Sequence, residues 1–232
     1  MEKKFELTDK FIINDFGIIL HQIKCVRTFK YAKEGEHGGF VEKEENLDHV
    51  GNAWVYGNAQ VYGNAQVCGD ARVCGDAKVY GNAKVYGNAK VYGNAKVCSN
   101  AWVYGNVWMY GNAWVYGNAQ VCGDAQVYGD AQVYGDAQVY GNTRVGGNAE
   151  IKDDDDHCGF DCFGSCNRHT HAYLTKENKV EVTCGCFRGS IDDFEKKIEE
   201  THAGTIYEKQ YKAIINVIKI KFGFNEQAAG VV

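Results

Sequence analysis

The side chains best able to hold a metal or act as nucleophiles are ten cysteines and seven histidines in a chain of 232 residues. His157, Cys158, Cys162, Cys166, His169, His171, Cys184 and Cys186 crowd into one stretch. Zinc takes four such ligands in a tetrahedron. The spacing C-x3-C-x3-C followed by C-x-C matches no zinc ribbon or finger, however, and Cys184 and Cys186 share strand parity with Val180 and Val182. That parity places both in a core, so no metal is expected, with a structural zinc as the alternative. Cys68, Cys74, Cys98 and Cys122 fill a slot that elsewhere holds tyrosine. Only Cys68 and Cys122 would share a face, too far apart for a disulfide. No nucleophile elbow, phosphate loop or paired carboxylate stands in a supporting context. The expectation is a non-enzyme with no catalytic residue and no cofactor.

A second group recurs at every sixth position: Trp54, Gln60, Gln66, Arg72, Lys78, Lys84, Lys90, Lys96, Trp102, Trp108 and Trp114, then glutamines from Gln120 to Gln138. Tyr80, Tyr86 and Tyr92 flank its basic part, and acidic corners follow at Asp124, Asp130 and Asp136. Outward tryptophans beside lysines suit a protein interface or a stacked, negatively charged ligand. The same residues can instead stack as ladders that stabilise a sheet. The two readings are compatible.

The elements that position these residues follow from the period itself. From Gly51 the chain reads GNAWVY, GNAQVY, GNAQVC and onward to GNAEIK, seventeen hexads in unbroken register. Ala-x-Val-Tyr has strand periodicity, with Ala and Val on one face. Gly followed by Asn or Asp supplies the residues that best tolerate positive φ, so each hexad ends in a tight corner. Three strands at three corners enclose a prism filled by the Val and Ala columns. The coil then repeats every eighteen residues and stacks in parallel at about 4.8 Å, giving five to six coils and a column of about 27 Å.

The hexads resemble the hexapeptide-repeat left-handed β-helix shared by acyltransferases, some carbonic anhydrases and many proteins without known activity. Left-handedness is implied by that resemblance, since general crossover rules favour the opposite hand. Gly-Asn-Ala-x-Val with a following aromatic is similar to rungs of polymer-forming-like proteins encoded by phages and prophages. The flanks look phage-like too: FELTDKFI, HGGFVEKEENL, CGCFRGSIDDFEKKIEETH and YEKQYKAIINVIKIKF. The resemblance implies a non-catalytic inhibitor of bacterial antiviral defence, either an anti-CRISPR-like binder of a host defence protein or a sponge for a nucleotide signal. A structural scaffold or polymer subunit is the alternative. An acyltransferase ranks below both, because the rungs contain neither a histidine nor an interrupting loop, and absent histidines also oppose a carbonic anhydrase.

The ends read differently from the repeat. Residues 1–38 alternate in short pieces and form a small β cap; 39–152 form the β-helix, with a two-residue irregularity around Asp48 to Val50; 153–232 form a ββαα cap over the last coil. Ser190 caps the first helix there, and Tyr211, Ile214, Ile215 and Ile218 line the second. The fold class is thus mainly β, with an α+β end. A net charge of −5 disfavours non-specific nucleic-acid binding. The first residues carry no apolar run of signal-peptide or membrane-spanning length, so a cytoplasmic protein, in the host cytoplasm if phage-encoded, is expected. Association along a solenoid face into a homo-oligomer completes the reading.

Overall fold

A six-residue period leaves only two residues per rung for pairing. The computed structural model describes residues 2–224, and it contains seventeen two-residue strands, β4 (Trp54–Val55) through β20 (Glu150–Ile151), one per hexad. Every one but the last three pairs in parallel with the strand eighteen residues on, as Lys90 with Trp108 and Val91 with Met109. The rungs therefore sort into three sheets, and the chain is a parallel β-solenoid of about six turns. The Ala and Val positions are buried along the repeat, with Val107 and Met109 standing in at one rung and Thr143 at another. Contacts divide the chain into two units, Met1–Asn148 and Ala149–Val232.

The backbone ladder has a direction. Along the repeat the amides of the Asn or Asp, variable and Tyr positions donate to the carbonyls of the following coil, as Asn88 to Gly105 (2.8 Å), Lys90 to Val107 (2.8 Å) and Tyr92 to Met109 (3.0 Å). Corner glycines run at φ between 58° and 82°, and Ser99 alone among the corners adopts this conformation (φ 59°) with a side chain. Space is short there as well: a Cβ on Gly105 would lie 2.8 Å from the Gly123 carbonyl oxygen.

Beside the glycines runs a ladder of side-chain amides. Asn64 donates to Asn82, Asn82 to Asn100 and Asn100 to Asn118 at 3.0–3.2 Å, and Asn118 ends on Asp136 at 2.9 Å. A carboxylate accepts but cannot donate onward. Asp124 and Asp130 likewise close the runs from Asn88 and Asn94.

A directed ladder leaves carbonyls unpaired on the first coil, and an orphan acceptor away from water is costly. The N-terminal residues close them. Strands β1 (Phe5–Ile13) and β2 (Ile19–Cys25) pair antiparallel, and β3 (His37–Val41) continues the sheet onto the rung of Gln60. On that face Phe40 and Glu42 donate to Ala59 and Val61 (2.9 and 3.1 Å). On the second face the Asn46 amide reaches Gly63 (3.1 Å) and Ala65 (2.9 Å), while Asp48 donates to Val67 (3.0 Å). On the third, Lys4 donates its Nζ to Ala53 at 2.8 Å. Burial lowers the Lys4 ammonium from 10.5 to about 8. Val41 pairs with Val61 and Leu47 with Val67, an offset of twenty rather than eighteen. That offset locates the two-residue irregularity where the spacing put it.

The second unit has four antiparallel strands rather than the two expected. These are β21 (His157–Phe163), β22 (Arg168–Leu174), β23 (Val180–Cys184) and β24 (Phe187–Ser190), in that order. Two helices follow, α1 (Ile191–His202) and α2 (Ile206–Lys221), capped by Ser190 and Thr205. β21 was read as part of a cysteine–histidine cluster, yet Cys158 and Phe160 alternate as strand residues and pack on the helical core with Val182, Phe194 and Ile215. The strand parity expected to carry from Val180 through Cys186 breaks after Cys184, because Gly185 (φ 61°) turns the chain between β23 and β24. Cys186 consequently stands exposed beyond the turn, not in a core with Cys184.

Two substitutions test the corner argument. Ser99→Gly relieves left-handed strain at the cost of backbone entropy and should stabilise by about 0.5–1 kcal/mol. Gly105→Ala adds strain and a clash and should destabilise by about 1 kcal/mol or more. Denaturant melts read both, and equal midpoints for the three proteins would contradict it.

Candidate binding belt on the solenoid

Every variable residue points out from the rung, so its neighbours are the same slots eighteen residues away. One sheet carries Trp54, Arg72, Lys90, Trp108, Gln126 and Arg144 in register. A second carries Gln66, Lys84, Trp102, Gln120 and Gln138. The third carries Gln60, Lys78, Lys96, Trp114 and Gln132. Trp102, Trp108 and Trp114 therefore lie on three different sheets, and no flat partner meets all three.

The N-terminal residues occupy the early part of the belt. Trp54, expected on the outer surface, is 1% exposed and packs edge-on against Phe29 (5.4 Å) and Phe5 (6.4 Å). The reason is that β4 begins its sheet with no rung before it, and Phe5 and Phe29 of the N-terminal residues close over the ring. Arg72 lies over the Tyr31 ring (4.7 Å), and Lys78 pairs with Asp15 (3.0 Å). Tyr80 stacks on Tyr62 at 5.0 Å.

The rest of the belt forms three copies of one arrangement. Each lysine sits over the tryptophan of the next coil: Lys84 over Trp102 at 5.1 Å, Lys90 over Trp108 at 4.0 Å, Lys96 over Trp114 at 5.4 Å. The tyrosines stack alongside, Tyr86 on Tyr104 (4.9 Å) and Tyr92 on Tyr110 (5.3 Å), with Tyr128 continuing the latter column at 5.2 Å. The stabilising ladder is thus present. Exposure separates the copies: Trp102 is 40% and Trp108 42% exposed, whereas Trp114 is half-buried and donates Nε1 to Cys98 Sγ at 3.2 Å.

Geometry limits what these rings can receive. A lysine covers one face of Trp108, and the rung of Gln126 follows on the other side. Neighbouring coils lie about 4.8 Å apart, room for one side-chain layer and none for an inserted base. Lys84, Trp102 and Trp108 remain exposed.

The cysteine–histidine stretch gathers differently. His157 Nδ1 lies 3.0 Å from His171 Nε2, and His169 Nδ1 lies 2.7 Å from Asp161. Cys158 is half-buried and Cys184 buried, while Cys162, Cys166 and Cys186 are exposed. Among the described residues no three His, Cys, Asp or Glu side chains are grouped to hold a metal ion. Among them, too, no helix is long and apolar enough to cross a membrane.

The repeat family described as YdcK beta solenoid repeat matches residues 65–81, 119–135, 125–141 and 131–147. This chain is similar to that repeat over a minor part of its length. The comparison with curated proteins finds no match.

Burial holds the His157 imidazole below its ordinary 6.5. As pH falls through that value the unfolded chain protonates first, so the unfolded state gains protons that the folded state lacks. The second unit should lose stability from about pH 6.5 downward, with the loss ending once the folded imidazole protonates. Thermal melts at stepped pH measure it, and His157→Gln should flatten the curve.

Proposed function

We propose that the chain is a non-catalytic binding protein whose two open faces, Lys84 with Trp102 and Lys90 with Trp108, dock on an acidic surface of a partner protein. The cation-over-ring stack carries this reading. A nucleotide gains most from a free aromatic face, and in this ladder one ring face is covered by a lysine and the other is followed by the next rung. A protein surface can use ring edges and charged anchors instead. This favours a protein over a nucleotide signal. Flanks that resemble phage and prophage proteins direct the proposal to a host defence protein, inhibited in the host cytoplasm by occlusion. Catalysis has no support in the belt, because no rung supplies a histidine to act as a base.

A structural polymer is the second reading. The groups that satisfy the Ala53, Ala59 and Ala65 carbonyls disfavour growth from the first coil. A closed homo-oligomer is proposed in its place, with the exposed Phe11, Ile13, Phe16 and Ile19 as apolar contacts, which leaves Trp102 and Trp108 to the partner.

The test combines Lys84→Glu, Lys90→Glu and Trp108→Ala. Truncating an anchor costs about 2 kcal/mol of binding, whereas each lost stack costs about 0.5–1 kcal/mol of stability. Wild-type protein should retain a host protein from infected or lysogenic lysate, and the variant should lose it while remaining folded by melting curve. Retention of nucleotides alone, or unchanged binding by the variant, would reject the docking surface. Light scattering tests assembly separately: a dimer or trimer is expected, and a strict monomer or fibres would overturn that part.

A further inference from the structure

Outside the belt, the exposed apolar side chains gather mainly in two places, which differ in shape and in charge. The first is the tip of the β1–β2 hairpin. Phe11, Ile13 and Ile19 lie exposed along it, and Phe16 stands out at the turn, 69% exposed. Asn14 Oδ1 holds this turn by accepting from the amides of Phe16 (2.9 Å) and Ile18 (3.0 Å), and Gly17 donates to the Asn14 carbonyl at 3.0 Å. Phe16 is thus a preorganised knob, with little freedom to lose on docking. Asp9, Lys10 and Asp15 are its exposed charged neighbours and leave the tip net acidic.

The second place is the outer face of α2. Tyr211, Ile214, Ile215 and Ile218 face the core of the second unit, while Ala213, Val217 and Ile220, at spacings of four and three, form a further apolar row that is exposed. A helix apolar on more than one side is ordinarily covered on each. The row runs on to Phe224, which borders a cavity of about 500 Å³. Val180 and Ile191 join Phe224 in the lining, where Lys179 and Lys219 outnumber Asp192. Lys209, exposed further along α2, adds to the same sign.

We propose that the hairpin tip of one copy docks on this helix face of a second copy, with Phe16 in the cavity and Ile13 and Ile19 against Val217 and Ile220. The contact rests on the closed homo-oligomer proposed above and names its two halves. Charge selects the pairing. Two acidic tips repel each other, as do two lysine-bearing helix faces, whereas Asp15 brought to Lys179 and Lys219 is attracted. Shape selects it as well, because an aromatic anchor needs a pocket to fill and the tip offers none to a second tip. Each copy carries both halves, so each gives and receives, and the set closes as a reciprocal dimer or a ring of three.

The experiment uses the full chain and reads self-association by sedimentation. Phe16→Ser and Ile220→Gln change exposed side chains, so both should melt as the wild type does, and each should weaken self-association about thirtyfold per contact, the loss of one anchor. An equimolar mixture of the two variants joins an intact tip to an intact helix face and should associate more tightly than either variant alone, in a species that isotope labelling shows to contain both. On irradiation, p-benzoylphenylalanine placed at position 16 should cross-link to residues 178–192 or 217–224 of another copy. A monomeric wild type would reject the homo-oligomer itself, and this contact with it. A wild type that assembles while Ile220→Gln assembles equally, a mixture no tighter than its components, or cross-links that fall elsewhere would leave the homo-oligomer standing and overturn the helix face as its receptor.

Discussion

Everything in the solenoid depends on one directed interaction, the amide-to-carbonyl ladder from each coil to the one after it. It requires corners sharp enough to bring position i beside i+18, and glycine at positive φ provides them. It also requires donors for the first coil's carbonyls, because no earlier coil exists. This explains two buried polar side chains that would otherwise be costly, Lys4 and Asn46. Both are buried because the ladder's open end needs N–H groups that the sequence there cannot supply as rungs.

The same spacing turns each outward slot into a column. Asparagines chain their amides until an aspartate ends the run, and tyrosines and lysine–tryptophan pairs stack at the repeat distance. Ring faces hold neighbouring coils together, and the proposed docking would use the parts of the rings and lysines that the stacks leave exposed. Irregular chemistry has little place in so regular a surface, so the exposed thiols gather at hairpin tips outside the repeat.

In the second unit, the two faces of one sheet divide the labour. Cys158, Phe160, Ala172, Val182 and Cys184 join α1 and α2 in an apolar core. His157 and His171, opposite each other's strands with a ring-to-ring hydrogen bond, lie on the other face. Strand alternation separates residues that look like one cluster along the chain.

The period by itself determined the solenoid. A hexad with Gly-Asn corners and an Ala-Val face has one way to bury its apolar column, so the coil length, the inward residues, the two-residue offset near Asp48 and the sorting of Trp102, Trp108 and Trp114 onto three sheets were all legible. The cap of the first helix and the apolar face of the second were legible for a similar reason, since Ser190 and the Ile214–Ile218 spacing act locally. Tertiary structure alone decided which belt residues remain available. Trp54, Arg72 and Lys78 carry the same local pattern as Lys90 and Trp108, and only the packing of Phe5 and Phe29 buries Trp54, while Tyr31 and Asp15 engage the half-buried Arg72 and Lys78. Likewise the strand β21 and the turn at Gly185 were hidden, because short strands gain their stability from partners distant in sequence and not from their own residues.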